Sequence, residues 1–178
     1  MSHISNGVEY GLHCLLFLSG PPAGVVEASV RDLAELQGIS VEYLAKLFTK
    51  LQKAGVVVAT EGARGGFALA RPPEKITVLD VVRAIDGKKL LFDCRNVRTG
   101  CAVFGANAPR WATSGVCSIH AVMLNAEKSM HEALSEHTLA DLAGRVMAKA
   151  PEKYGNEIAR WLSDRVSTRR SAKHQEPK

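Results

Sequence analysis

A chain of 178 residues can bury one good core with modest extensions, at roughly one domain per 150 residues, which leaves no room for a large two-domain enzyme. With 46% hydrophobic and 23% charged residues it is neither fibrous nor wholly disordered, and its longest apolar runs, such as Leu15-Leu16-Phe17-Leu18, fall far short of the roughly 18 residues of a membrane span. The net charge of +5, from 23 Lys and Arg against 18 Asp and Glu, permits a polyanionic partner without demanding one.

From Asn6 to Ser19 the apolar residues Val8, Leu12, Leu15, Leu16 and Leu18 recur at helical spacing, and Gly20-Pro21-Pro22 stops them. The polar residues His3, Asn6, Glu9 and His13 at this end do not make the basic start and apolar core of a secretory signal, so the cytoplasm is the expected compartment. A second, short helix opens after Ser29 as N-cap and closes at Gly38. Ser40 caps a third, which turns Leu44, Leu47, Phe48 and Leu51 inward and Lys46, Lys50 and Lys53 elsewhere.

Val56-Val57-Val58 and Gly66-Phe67-Ala68-Leu69-Ala70 then flank Glu61-Gly62-Ala63-Arg64-Gly65, the pattern of a two-stranded hairpin with a glycine-rich tip. Thr77 caps a helix that Asp86-Gly87 ends. Residues 88–117 hold Cys94, Cys101 and Cys117 among Gly100, Gly105, Pro109 and Gly115 and read as an irregular loop. From Ser118 to about Leu134 the stripe of Ile119, Val122, Met123, Ala126 and Met130 needs a covering surface, which a second copy of the chain supplies. Thr138 caps a shorter helix, Pro151 to Val166 forms one more, and the basic stretch 167–178 reads as disordered.

Two short helices joined by Gly38-Ile39-Ser40, the second basic and followed by a hairpin, are the order of a winged helix-turn-helix. The fold class expected is therefore mainly α, with a small β-hairpin wing and a long dimerisation helix. Its parts are a DNA-binding domain over 1–87, a cysteine-bearing loop over 88–117, a dimerisation helix and short helix over 118–150, and a C-terminal helix and tail over 151–178. The third helix enters the major groove with Ser40, Val41 and Tyr43 at its start and Lys46 and Lys50 one and two turns on, while Arg64 at the hairpin tip reaches a minor groove or phosphate. Taken singly, these cations are equally well explained as a solvated face; jointly with the cap, the turn glycine and the wing they predict DNA binding.

Several segments carry a closer likeness: Val8-Glu9-Tyr10-Gly11-Leu12, Gly38-Ile39-Ser40-Val41-Glu42-Tyr43-Leu44, Leu51-Gln52-Lys53-Ala54-Gly55-Val56-Val57, Gly65-Gly66-Phe67-Ala68-Leu69-Ala70-Arg71-Pro72 and Ile76-Thr77-Val78-Leu79-Asp80 through Gly87. Over residues 4 to 146 the chain resembles the winged-helix family of the iron–sulfur cluster regulator IscR and the nitric oxide sensor NsrR. The resemblance implies a homodimer on a double-stranded, roughly palindromic operator, subunits crossed through the helix after residue 118, and a response to an iron–sulfur cluster.

The cysteines stand as Cys94, six residues, Cys101, fifteen residues, Cys117, two residues, His120. Soft thiolates on an irregular loop suit an iron–sulfur cluster. The second gap is longer than the family's usual spacing, so either the loop folds back through Pro109 and Trp111 or one cysteine stands outside the cluster. Glu9 and His13, four apart on the first helix, project from one side of it; as a pair they are a surface feature or ligands. The family brings that helix to the opposite subunit's cluster, which implies a mixed set of Cys101 and Cys117 from one chain with Glu9 and His13 from the other. That set favours [2Fe–2S] over [4Fe–4S], with Cys94 and His120 in reserve.

Cys14, between Leu12 and Leu15, is a small core residue. The other readings left open are a structural zinc, a cluster-free regulator whose thiols form a disulfide, and an electron carrier without DNA preference. No nucleophile elbow, phosphate loop, dinucleotide fingerprint or zinc-protease motif occurs, and no enzymatic activity is expected.

Overall fold

The computed structural model describes residues 3–19, 27–60, 65–151 and 153–173. Among these described residues eight α-helices and one hairpin follow in the order α1 (Asn6–Leu18), α2 (Val30–Gln37), α3 (Val41–Lys53), β1 (Val57–Thr60), β2 (Gly66–Leu69), α4 (Val78–Asp86), α5 (Arg110–Thr113), α6 (Ser118–Ser135), α7 (Leu139–Met147) and α8 (Lys153–Lys173). The mainly helical fold with a small two-stranded sheet is the one expected. Among the described residues no helix is long and apolar enough to cross a membrane.

Helix ends follow local chemistry. Ser29 and Ser40 lie in extended backbone and accept the N–H groups of Asp32 and Tyr43, at the starts of α2 and α3. Gly38 takes φ 68°, and its left-handed turn lets the N–H groups of Gly38 and Ile39 close on Glu35 and Ala34. Thr77 and Thr138 each form a capping box, with Asp80 and Asp141 respectively. The two boxes sit back to back: Val78 donates to His137 and Leu139 to Ile76, so the starts of α4 and α7 are joined by a bridge between Thr77 and Thr138.

The described residues of 1–87 and 134–178 form one compact unit and 88–133 another. In the first, Leu15, Leu33, Leu44, Phe48, Leu51, Ile76, Val81 and Leu139 are fully buried. Helix α1 crosses α4 closely: a Cβ on Gly11 would stand 2.5 Å from Ile85 Cδ1, so any larger residue there would have to push the end of the Ile85 side chain aside. The N–H and hydroxyl of Ser5 donate to the two carboxylate oxygens of Asp86, which ties the start of α1 to the end of α4. Helix α8 adds Ile158 and Leu162 to the core.

In the second unit two turns of 3-10 helix at Val97–Gly100 and Ala102–Phe104, with the single turn of α5, shape the cysteine loop. None of the residues of α6 is buried, and Ile119 and Val122 are 63% and 64% exposed. Helix α8 runs past the Val166 end that the apolar pattern predicts, to Lys173. The stretch expected to be disordered is thus helical through Lys173, because Ser167 to Lys173 contains neither Gly nor Pro to stop it; residues 174–178 lie outside the described residues.

Candidate DNA interface and cysteine loop

Helix α3 presents its start to solvent. Ser40 spends its hydroxyl on the cap, accepting from the Tyr43 N–H and donating to Glu42 Oε2 at 3.0 Å. Val41 and Tyr43 are 41% and 40% exposed. The Tyr43 ring meets the edge of Tyr10 at 5.9 Å between centroids, so α1 fixes its direction while part of it stays open. Lys46 is exposed. Lys50 is exposed too, but its Nζ donates to the Ile85 carbonyl at 2.7 Å, near the negative end of α4. Arg64 lies outside the described residues.

The wing pairs Val57 with Leu69 through Thr60 with Gly66, antiparallel. Ala28 adds a further rung by exchanging N–H and C=O bonds with Phe67. The chain before α2 is thereby fastened to β2, and Phe67 meets the edge of the buried Phe48 ring at 5.2 Å, so the wing and α3 share one rigid packing.

On α1, Glu9 and His13 are both exposed. They stand on the wall of an apolar groove of about 670 Å³ that Leu12, Val82, Leu142 and Arg145 also line. His13 borders in addition a smaller cavity of about 270 Å³ against Phe17, Gln37, Tyr154 and Ile158. Helical spacing does bring these two side chains to one face, one turn apart.

In the cysteine loop Cys101 is exposed, Cys94 and Cys117 are half-buried, and all are free thiols. The loop folds back on itself. Arg98 closes it: Nε donates to Asn96 Oδ1 at 2.8 Å, and the two Nη groups donate to the carbonyls of Thr113, Ser114 and Gly115. The ring of Trp111 meets the edge of Phe104 at 5.9 Å. This clasp joins the segment between Cys94 and Cys101 to the residues just before Cys117. No sequence signal marked Arg98, because its partners are mostly backbone carbonyls of an irregular turn.

Cys117 precedes the first turn of α6, where the N–H groups of His120 and Ile119, and the charge of Arg98, hold its thiol below the ordinary value of 9.0. The ring of His120 packs on Phe92 at 6.1 Å. Cys14 is fully buried, and burial pushes its thiol up to about 12, as a core residue requires. Among the described residues no group of three or more His, Cys, Asp or Glu side chains is placed to hold a metal ion. Cys94, Cys101 and Cys117 of one chain are thus not gathered on one point. The donor types suit an iron–sulfur cluster.

The sequence profile of the Rrf2 family, described as an iron-dependent transcriptional regulator, matches residues 4–145. The protein rrf2 of Nitratidesulfovibrio vulgaris is 40% identical over 114 residues, covering 64% of this chain and 69% of that one. Among solved structures, T. potens IscR shares 28% identity at a TM-score of 0.60, over 86% of this chain and 95% of its own. CymR, described as the global cysteine regulator of B. subtilis, shares 25% identity at a TM-score of 0.59, over 82% and 98%.

Proposed function

The chain belongs to the Rrf2 family of winged-helix transcriptional regulators and is not an enzyme; from that premise we propose that it is a cytoplasmic homodimer whose affinity for a palindromic operator follows the state of an iron–sulfur cluster shared between subunits. The observation that carries the reading is the pairing of two features. An exposed, capped, basic helix stands beside a wing, and three free thiols sit in a clasped loop while Glu9 and His13 share an exposed face of α1.

For DNA, the start of α3 with Ser40, Val41 and Tyr43 is the part that faces base edges, Lys46 and Lys50 the part that neutralises phosphate, with Arg64 of the wing assisting. The bond from Lys50 to Ile85 leaves its charge in place and fixes its direction. For sensing, Cys101 and Cys117 of one chain and Glu9 and His13 of the other make four donors, and the cluster they suit is [2Fe–2S]. Such a cluster, when bound, supplies a charge that changes with redox state, and the mixed donors raise its potential relative to four thiolates. The chain's own contribution is positional. Arg98 clasps the loop so that Cys117 is held at the start of α6, and α1, which carries the other two donors, packs directly on α3 and α4. A change of charge at α1 therefore acts on the helix that carries the reading head.

The test is a set of single variants reconstituted without oxygen. Cys101→Ala, Cys117→Ala, Glu9→Ala and His13→Ala are each expected to lose or alter the visible spectrum, and Cys94→Ala to keep it. Wild-type spectra in Glu9→Ala and His13→Ala with loss in Cys94→Ala would replace the shared set by three cysteines. A second reading, a cluster-free thiol regulator, is favoured by the lowered Cys117 thiol and by the likeness to CymR. It predicts a colourless protein in which oxidation joins two of the loop cysteines.

A further inference from the structure

Among the described residues α2, α3, α4 and α7 each open on a serine or threonine cap followed by an acid, and all but α3 use the acid in the same way. In α2, α4 and α7 it is the third residue of the helix and turns back onto the cap. Asp32 accepts from the Ser29 hydroxyl, Asp80 from the Thr77 N–H, and Asp141 from the Thr138 N–H and hydroxyl. Helix α3 departs from this. Its third residue is Tyr43, which cannot close a capping box, and its acid, Glu42, stands one position earlier.

Glu42 is exposed between the exposed Val41 and Tyr43. Its Oε2 accepts from the Ser40 hydroxyl at 3.0 Å, and among the described residues no cation pairs with the carboxylate. The edge contact of Tyr43 with Tyr10 steadies the same turn. On a surface that faces a polyanion, such an acid is repelled by every phosphate, so it favours a complex only where a base edge supplies a donor. An ionised carboxylate only accepts, and the major groove offers two donors, the amino groups N4 of cytosine and N6 of adenine. Beside adenine N6 stands N7, an acceptor that repels a carboxylate, whereas cytosine N4 has the C5–H of its own base beside it in the groove. We propose that Glu42 is a base-reading residue that selects cytosine at one position of each half-site, so that the operator carries a G·C pair of fixed orientation at two symmetry-related positions. The inference rests on the DNA-binding reading above. An acid in the first turn also complements the helix dipole, and a role confined to that changes stability and leaves base preference alone.

The experiment uses the full chain, prepared without oxygen, to select duplexes from a random pool, and then measures affinities by fluorescence anisotropy over a range of KCl. The wild type is expected to select cytosine at a symmetric pair of positions and to lose at least about fivefold in affinity when both are changed to thymine. Glu42→Ala is expected to bind these two duplexes within about twofold of each other, and Glu42→Gln, which both donates and accepts, to exchange the cytosine preference for adenine. Both variants keep the log–log salt slope, because no phosphate contact is lost; Lys46→Ala lowers the slope by about one and keeps the cytosine preference. A wild-type site without the cytosine pair overturns the proposal and leaves the DNA reading standing. So does an unchanged base preference in Glu42→Ala and Glu42→Gln, with or without a lower melting temperature. A wild-type chain that selects no sequence overturns both.

Discussion

At the scale of single residues, the four cysteines divide by environment. Cys14 is enclosed between α1 and the core, where a charged thiolate would be desolvated, and its thiol sits near 12. Cys117 stands where backbone N–H groups and Arg98 favour the thiolate. Alkylation of cluster-free native protein at neutral pH is therefore expected to modify Cys117 first, Cys94 and Cys101 next, and Cys14 only after unfolding, as read by mass spectrometry of digests. Rapid labelling of Cys14 in the native state would remove it from the core. The core role of Cys14 was legible in the sequence because its apolar neighbours carry it. Arg98 was not, since a side chain that binds carbonyls of a loop leaves no periodic trace, and neither was the bond from Lys50 to the Ile85 carbonyl, because it spans 35 positions.

At the scale of elements, the helix boundaries were legible wherever a cap fixes them. Ser29, Ser40, Thr77 and Thr138 each precede an apolar pattern and each accepts a backbone N–H in its first turn. The joined start of α4 and α7 depends on two of these caps, and Thr77→Ala is expected to cost about 1 kcal/mol and to lower the melting temperature by roughly 2–4 °C, seen by circular dichroism. In the second box the Thr138 N–H and hydroxyl hold the Asp141 carboxyl below its ordinary 3.8. A depressed carboxylate stabilises the fold fully above its unfolded pKa and loses that contribution as pH falls through the folded one. The cap of α7 is thus expected to weaken below about pH 4, and Asp141→Asn to remove that part of the acid dependence of the melt. A variant with the same acid dependence as wild type would place the sensitivity elsewhere. The end of α8 was less legible: past Val166 the apolar stripe ceases, while residues of fair helix propensity, with neither Gly nor Pro, continue the backbone to Lys173.

At the scale of the whole molecule, α6 presents Ile119 and Val122 with most of their surface open, and no residue of that helix is buried within one chain. Such a stripe calls for a partner, so light scattering is expected to give about twice the 19.2 kDa chain mass at micromolar concentration. A stable monomer would remove the twofold operator and the shared ligand set together. That arrangement is proposed from likeness to a family, because a site divided between two chains has no spacing of its own in one sequence. The central claim, that operator affinity follows cluster state, is tested most directly by one titration. Operator binding is measured without oxygen on the cluster-loaded protein and again on the same preparation after the iron has been chelated away. The account predicts dissociation constants that differ at least tenfold between the two forms; equal constants, in a protein whose spectrum shows the cluster to have been present and then lost, would contradict it.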